Sequence, residues 1–482
     1  MVEKQIVNMY DVVIIGSGLG GLVCGSLLAR EGKRVLVLER QAQPGGCLQS
    51  YQRDGLSFDT GFHYVGGLAE GQFLHDVFSH LGLMQLPWVR LDADGFDRVT
   101  IGQHTYPLAE GYDRFSDTLS EYFPREREAL KQYVELMRHL PPMKEIGSIN
   151  AYNWLTSLFH DPLLINVLSG PALKMELRAE SLPLFTFAHG MSSYIGSSWR
   201  LRGGGHLLVN SLVNDILRQG GRVVCHAEVN KLVEKEGRIV AVRCTKGNIY
   251  EGNVFISDVH PQLTFQWLGE SHLLKKTFRR RINALENSFG MFTVSLILKK
   301  GALPYFNHNK YVYRKPNVWT FHEDVGGIGG VMVSCRVPEE GNDARQIDLM
   351  TPMPWKLCEP WVNTTVGRRG EIYEMLKSHL ADECLRLTEK VIPGLRSMVE
   401  KYYTSTPLTY RDYTLTPCGS AYGIRKDYRY PLMTTLSPRT PIPNLLLTGQ
   451  NLILHGVEGV TMTALLTCEE LLGKDYIQTI TK

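Results

Sequence analysis

The chain has 482 residues, a formal net charge of +3, and 43% hydrophobic against 21% charged residues. So small a charge, with no basic tract interleaved with aromatics, argues against nucleic acid as a partner. The length supplies material for about three domains. Nine cysteines are scattered without a C-x-x-C pair or zinc-like Cys/His spacing, which predicts reduced thiols, no disulfide scaffold and no metal site. No run of about 18 apolar residues predicts a membrane-spanning helix. The start, MVEKQIVNMY, does not read as a signal peptide. Residues 1–8 are expected to form a loose tail, and the expected location is cytoplasmic.

Val12 to Ile15 are consecutive apolar, β-branched residues and predict a buried strand. Gly16, Gly18 and Gly21 follow at the spacing G-x-G-x-x-G. Leu19, Val23 and Leu27 then mark one side of a helix that Gly32 ends. Val35 to Leu38 predict a second strand, with Glu39 at its carboxyl end. Each part suits a dinucleotide. Gly16 permits the tight turn, Gly18 the approach of a pyrophosphate, and Gly21 the close packing of helix on strand. The helix N-terminus offers unpaired N–H groups and partial positive charge. Glu39 can accept hydrogen bonds from two ribose hydroxyls and would repel a 2′-phosphate.

Pro44, Gly45 and Gly46 mark a turn able to pass close to a ligand. Phe58 to Gly67 alternates glycines with aromatics, as short strands against something flat would. Residues 72–84 read as a helix and 97–107 as a hairpin. Pro124 opens a helix with Leu130, Tyr133, Val134, Met137 and Leu140 on one face. Residues 151–199 are apolar and aromatic. They predict helical core, part of it lining an apolar tunnel or lying in the plane of a bilayer. Leu208, Leu212 and Ile216 predict a helix, Val223-Val224 a strand, residues 229–242 a meander, and Val254 to Asp258 a strand ending in a polar turn. This is nucleotide-domain material again, so that domain is discontinuous. Beyond it, residues 291–298, 310–313 and 331–333 predict strands and 371–391 a helix. Gly326 to Gly330 has the wrong spacing for a second dinucleotide loop and reads as a turn. Leu445 to Leu447 is the last strand. It runs through Thr448-Gly449-Gln450 to a helix from about Val460 to Leu472, whose N-terminus is a second contact for the ligand.

These motifs resemble the FAD-dependent amine-oxidase-like superfamily. Gly45-Gly46-Cys47 followed by Asp54-Gly-Leu-Ser-Phe-Asp-Thr-Gly-Phe-His-Tyr-Val-Gly66 resembles the phytoene desaturase, carotenoid isomerase and all-trans-retinol 13,14-saturase family, nearest its saturase branch. The resemblance spans nearly the whole chain, and the inserts match in layout more than in residues. It implies an α/β fold with a Rossmann-type FAD-binding domain (residues 9–75, 200–262 and 406–482). An α+β substrate domain (76–199 and 263–405) is inserted into it. It implies FAD, with Gly16, Gly18, Gly21 and Glu39 at the ADP half, Arg40 near the adenosine, and Val229 at the adenine through its backbone. Gly45, Gly46, Gly449 and Gln450 follow along the pyrophosphate and ribityl, and Gly459 and Val460 lie at the pyrimidine edge. The implied partners are a hydrophobic small molecule, an external electron donor or acceptor, and a membrane surface touched peripherally. The chain departs from the pattern at Cys47, where many amine oxidases carry arginine, and at His455-Gly-Val-Glu458, which is not the Pro-Gly-rich run of the phytoene desaturases.

An apolar C=C offers no handle for acid–base catalysis alone, so the cofactor carries the hydride step. Saturation also needs a proton donor. The candidates are Glu458, Tyr422 and Tyr64, with His63 beside them. Two alternatives remain open: a flavin oxidoreductase for another hydrophobic or aromatic metabolite, and a non-catalytic binder of prenyl lipids. Rab escort and GDP-dissociation-inhibitor proteins, which share this fold, exemplify the second. The intact glycines and Glu39 favour redox chemistry.

Overall fold

A computed structural model describes residues 9–320 and 327–481. The tail at 1–8 and Gly326 lie outside the described residues. Tyr10–Ile15 is the central strand of a parallel arrangement. It pairs with Val35–Leu38 on one side and Ile249–Ser257 on the other. Arg222–Val224 extends the sheet beyond Val35–Leu38, and Leu445–Leu447 pairs with Ile249–Ser257. All four residues of Val35–Leu38 are buried. Helices cover one face and a meander with further helices the other, so unbroken apolar runs are what such strands need. The helices Leu19–Arg30, His206–Arg218 and Gly456–Leu472 pack on the first face. Leu19–Arg30 sits very close to its strand. A methyl carbon added at Gly21 would fall under 3.0 Å from the Gly16 carbonyl oxygen.

The carboxyl ends of these strands meet at Ile15, Leu38, Ser257 and Leu447, which is where parallel α/β sheets open a crevice. The helix expected from about Val460 begins at Gly456, four residues earlier, and a short helix Tyr476–Ile480 follows it. Glycines at 456 and 459 hide that start from a propensity reading. Gly459 is needed there because an added methyl would meet Leu454 under 3.0 Å.

A second, seven-stranded sheet joins residues far apart in the chain. Its order is Val399–Ser405, Gly290–Leu298, Gln346–Met353, Gly330–Cys335, Asn309–Tyr313, Asp97–Ile101 and His104–Leu108. Gln346–Met353 and Val399–Ser405 escape the sequence reading. Asp348 and Pro352 interrupt the first, and the second is a charged edge strand. Alternation divides the faces. Met291, Tyr311, Met332 and Met350 turn toward helices drawn from residues 112–196. Phe292, Val294, Val333 and Leu349 turn toward the helix Glu371–Thr388. Most of the apolar residues of 151–199 are interior, among them Leu155, Leu164, Leu168, Leu184 and Phe187. Gly327 to Gly329 form an irregular lead into the strand Gly330–Cys335. Among the described residues no helix is long and apolar enough to cross a membrane, and no cluster of His, Cys, Asp or Glu could hold a metal ion.

Candidate active site

A cleft with a cavity volume of about 270 Å³ follows the strand ends. Glu39, Arg40 and Val229 line one end, the loop Gly16–Gly20 with Gly45 and Gly46 lines the middle, and Gln450, Val457 and Val460 line the other. Three of the predicted cofactor residues do not line this cleft: Gly21, Gly449, which packs against the Asp258 carboxyl, and Gly459. Gly21 packs the first helix on its strand, and Gly459 lines a neighbouring chamber. The two glycine loops touch, and a methyl added at Gly46 would lie 3.1 Å from Gly18 Cα.

Glu39 is fixed before any ligand arrives. Its Oε1 accepts from the Gln41 N–H at 2.7 Å, and its Oε2 accepts from the Ser17 N–H at 3.2 Å and from the Ser17 hydroxyl. A carboxylate offers about four acceptor positions, so capacity remains for ribose. Arg40 donates one Nη to the Asp412 carbonyl at 2.9 Å, while its other Nη is buried without a partner. Such an unspent donor beside the cleft suits a ligand acceptor. Two glycine loops in contact, a fixed acid and the spare Arg40 donor fit an elongated dinucleotide. Cys47 stands in the cleft as a neutral thiol, pushed up to about 11 by burial and by Asp258.

Asp258 is the residue the sequence reading passed over. Its carboxyl lines the cleft against the glycine loops. Its only sequence cue is its place just past the carboxyl end of an inner parallel strand, where ligands bind.

A second chamber of about 160 Å³ opens on the inner end of the cleft. The two share His63, Tyr422, Met291, Met350 and Val457 as lining residues. Five methionines line the chamber, Met175, Met291, Met332, Met350 and Met462, with Phe62, Tyr64 and Tyr194. Flexible, polarizable walls of this kind suit a long apolar molecule.

The three candidate donors all reach this chamber but differ in what their polar ends do. Glu458 sits in the first turn of the helix Gly456–Leu472. Desolvation raises its carboxyl to about 7 against a hydrogen bond from Ser193 that lowers it. The Tyr422 hydroxyl donates to the Leu173 carbonyl at 3.2 Å, and burial raises its pKa. The Tyr64 hydroxyl is held by Asp97 at 2.9 Å and Tyr311 at 2.8 Å, so only its ring serves the chamber. Burial brings His63 down to about 4, so the ring is neutral near pH 7, with Nδ1 3.8 Å from Asp348.

Comparison with known proteins agrees with this geometry. Residues 14–81 match the family described as NAD(P)-binding Rossmann-like domain. The all-trans-retinol 13,14-reductase of Homo sapiens is 27% identical, over 98% of this chain and 87% of its own. The chloroplastic prolycopene isomerase of Daucus carota is 25% identical, over 86% of this chain and 72% of its own. Among solved structures, an oxidoreductase from Methanosarcina mazei superposes with a TM-score of 0.66 at 16% identity, covering 95% of this chain and 100% of that one. That likeness is one of fold.

Proposed function

We propose that this chain, which belongs to the family of the all-trans-retinol 13,14-reductases and prolycopene isomerases, is an FAD-dependent oxidoreductase acting on a C=C bond of a hydrophobic polyene. The observation that carries the reading is the methionine-lined chamber, with one carboxyl group, opening on the inner end of the dinucleotide cleft. When bound, FAD supplies the hydride exchange that no side chain here can provide. Glu39 and Arg40 would hold its adenosine half. Gly16, Gly18, Gly45, Gly46, Gly449 and Gln450 would hold the pyrophosphate and ribityl, and Gly459 and Val460 the pyrimidine edge.

The chain's own contribution is orientation, dryness and a proton. Met291, Met332 and Met350 project from one sheet face and fix the plane along which a polyene lies. Closely packed apolar walls exclude water, so a charge developing on the substrate is not quenched by solvent. Glu458 holds a proton near neutral pH and faces the chamber, which makes it the donor that saturation requires. An external electron donor completes the balance.

The test is spectroscopic. Purified protein, as isolated or after addition of FAD, should show flavin absorption. Anaerobic reduction followed by mixing with all-trans-retinol or lycopene should reoxidise the flavin or change the double-bond pattern of the polyene. Absence of flavin bands would favour a prenyl-lipid binder. A flavin that neither polyene affects would favour another hydrophobic metabolite.

The substrate's insolubility in water supports a peripheral membrane contact. Tyr430, Leu432 and Met433 stand 61%, 79% and 44% exposed on one short helix and its cap, beside the partly exposed Arg429. Their segment is held to the residues just before the helix Leu184–Gly196, the Tyr428 N–H donating to the Ser181 carbonyl at 2.9 Å. The protein should float with vesicles of phosphatidylcholine and phosphatidylserine, and Leu432→Asp should float much less. Wild type left in the dense fraction overturns this contact.

A further inference from the structure

Asp258 follows the strand Ile249–Ser257 and puts its carboxyl where the two halves of the cofactor seat meet. A methyl carbon added at Gly18 or Gly21 would approach Oδ2, and one at Gly20 or Gly449 would approach Oδ1. At Gly18, Gly20 and Gly449 the separation is under 3.0 Å. The carboxyl therefore fills the hollow at the N-terminus of the helix Leu19–Arg30, against Gly449 from the far end of the chain. The backbone N–H groups of Gly18 and Gly21 act on it from the loop and draw its pKa down. These belong to the helix end that would otherwise receive phosphate oxygens.

The groups facing it offer no positive charge. Glu39 faces it from the end of the second strand and the Cys47 thiol from the turn Gly46–Leu48. His260, two residues on, lines the same cleft. Burial brings that imidazole down to about 4, and its Nε2 is paired with Asn287 Oδ1 at 2.8 Å. No lysine or arginine acts on the Asp258 carboxyl among the described residues. Burial and Glu39 together raise it to about 7, against the two N–H donors. An ionised carboxylate here would add its charge to that of an arriving pyrophosphate, in a site where water screens poorly.

We propose that Asp258 couples cofactor loading to proton uptake, its carboxyl being neutral whenever the dinucleotide is seated, so that FAD binding to the ionised form takes one proton from solvent. The inference rests on reading the cleft as an FAD seat. It goes beyond that reading in making affinity depend on pH through a group that need not take part in redox chemistry.

The experiment titrates apoprotein with FAD from about pH 6 to about pH 9, following flavin fluorescence. Calorimetry in buffers of different ionisation heat counts the protons. In wild type the dissociation constant should rise by up to about tenfold per pH unit once the pH exceeds about 7, with uptake approaching one proton per FAD. Asp258→Asn keeps the acceptor for the glycine N–H groups but carries no charge. It should bind with a flat profile and outbind wild type at the alkaline end. Asp258→Ser should flatten the profile likewise, which covers the case in which the asparagine variant misfolds. A flat wild-type profile, or an unaltered slope in both variants, overturns the coupling while leaving the FAD reading intact. Failure of wild type to bind FAD at any pH overturns both.

Discussion

Glu458→Gln should retain its flavin and lose turnover on a polyene by roughly 10²- to 10⁴-fold, the range that one positioned general acid contributes. The carboxyl must be protonated to donate. Its ordinary value of 4.5 is raised to about 7 mainly by desolvation, so the acid form survives at neutral pH. Wild-type activity should therefore fall as pH rises through about 7, and the residual activity of the glutamine variant should lack that limb. Flavin content and melting temperature separate loss of the acid from loss of the fold. If Glu458→Gln turns over at the wild-type rate, the carboxyl is structural and the proton comes from elsewhere. Tyr422 is then the next group to examine, since it carries an O–H proton and lines the cleft and the chamber alike.

Gly21→Ala should yield protein without flavin. The new methyl would lie under 3.0 Å from the Gly16 carbonyl oxygen. That oxygen cannot swing aside, because it belongs to a turn whose glycine already sits at φ 96°. The helix Leu19–Arg30 must back away from its strand and take the phosphate-facing N–H groups with it. Overpacking of this kind costs about 1–3 kcal/mol, and each 1.4 kcal/mol lost from binding is roughly tenfold in affinity. Gly25→Ala, one turn on, is the control. Its methyl would meet the end of the Ile216 side chain at 2.9 Å, and a side chain can rotate. The expected result is flavin in the Gly25 variant and little in the Gly21 variant. Equal flavin content in both would show that close helix packing does not position the phosphate site.

Much of the nucleotide half was legible because its chemistry is local. The turn at Gly16, the helix that Gly32 closes and the acid at position 39 fall within one strand–helix–strand unit, and their spacing is itself the geometry. The chamber was less legible because no stretch contains it. Met175, Met291, Met332, Met350 and Met462 become neighbours only when sheet alternation and the helix Gly456–Leu472 bring them together. Tyr64 and Tyr422 show the same limit. An aromatic residue near a glycine run reads as ligand-facing, but Asp97 and Tyr311, which hold the Tyr64 hydroxyl, sit in strands paired only in the folded sheet. Asp258 looked like the end of a strand, and only the contact of Gly449 with the first glycine loop gives its carboxyl a role.

The order in which the chain is made bears on the cofactor. The first glycine loop leaves the ribosome well before Leu445–Leu447 and the helix Gly456–Leu472. The central sheet is completed by pairing Phe255 with Leu445 and Ile256 with Leu446, a closure across nearly two hundred residues. Contacts so distant in sequence form slowly, because the loop entropy is lost before the contact stabilises anything. A nascent chain therefore presents half a seat until Leu445–Leu447 and the helix Gly456–Leu472 have left the ribosome, and flavin capture waits for them. Flavin shortage would then leave chains waiting with Gly449 and the first loop unbridged, and free FAD would act on folding yield as well as on activity.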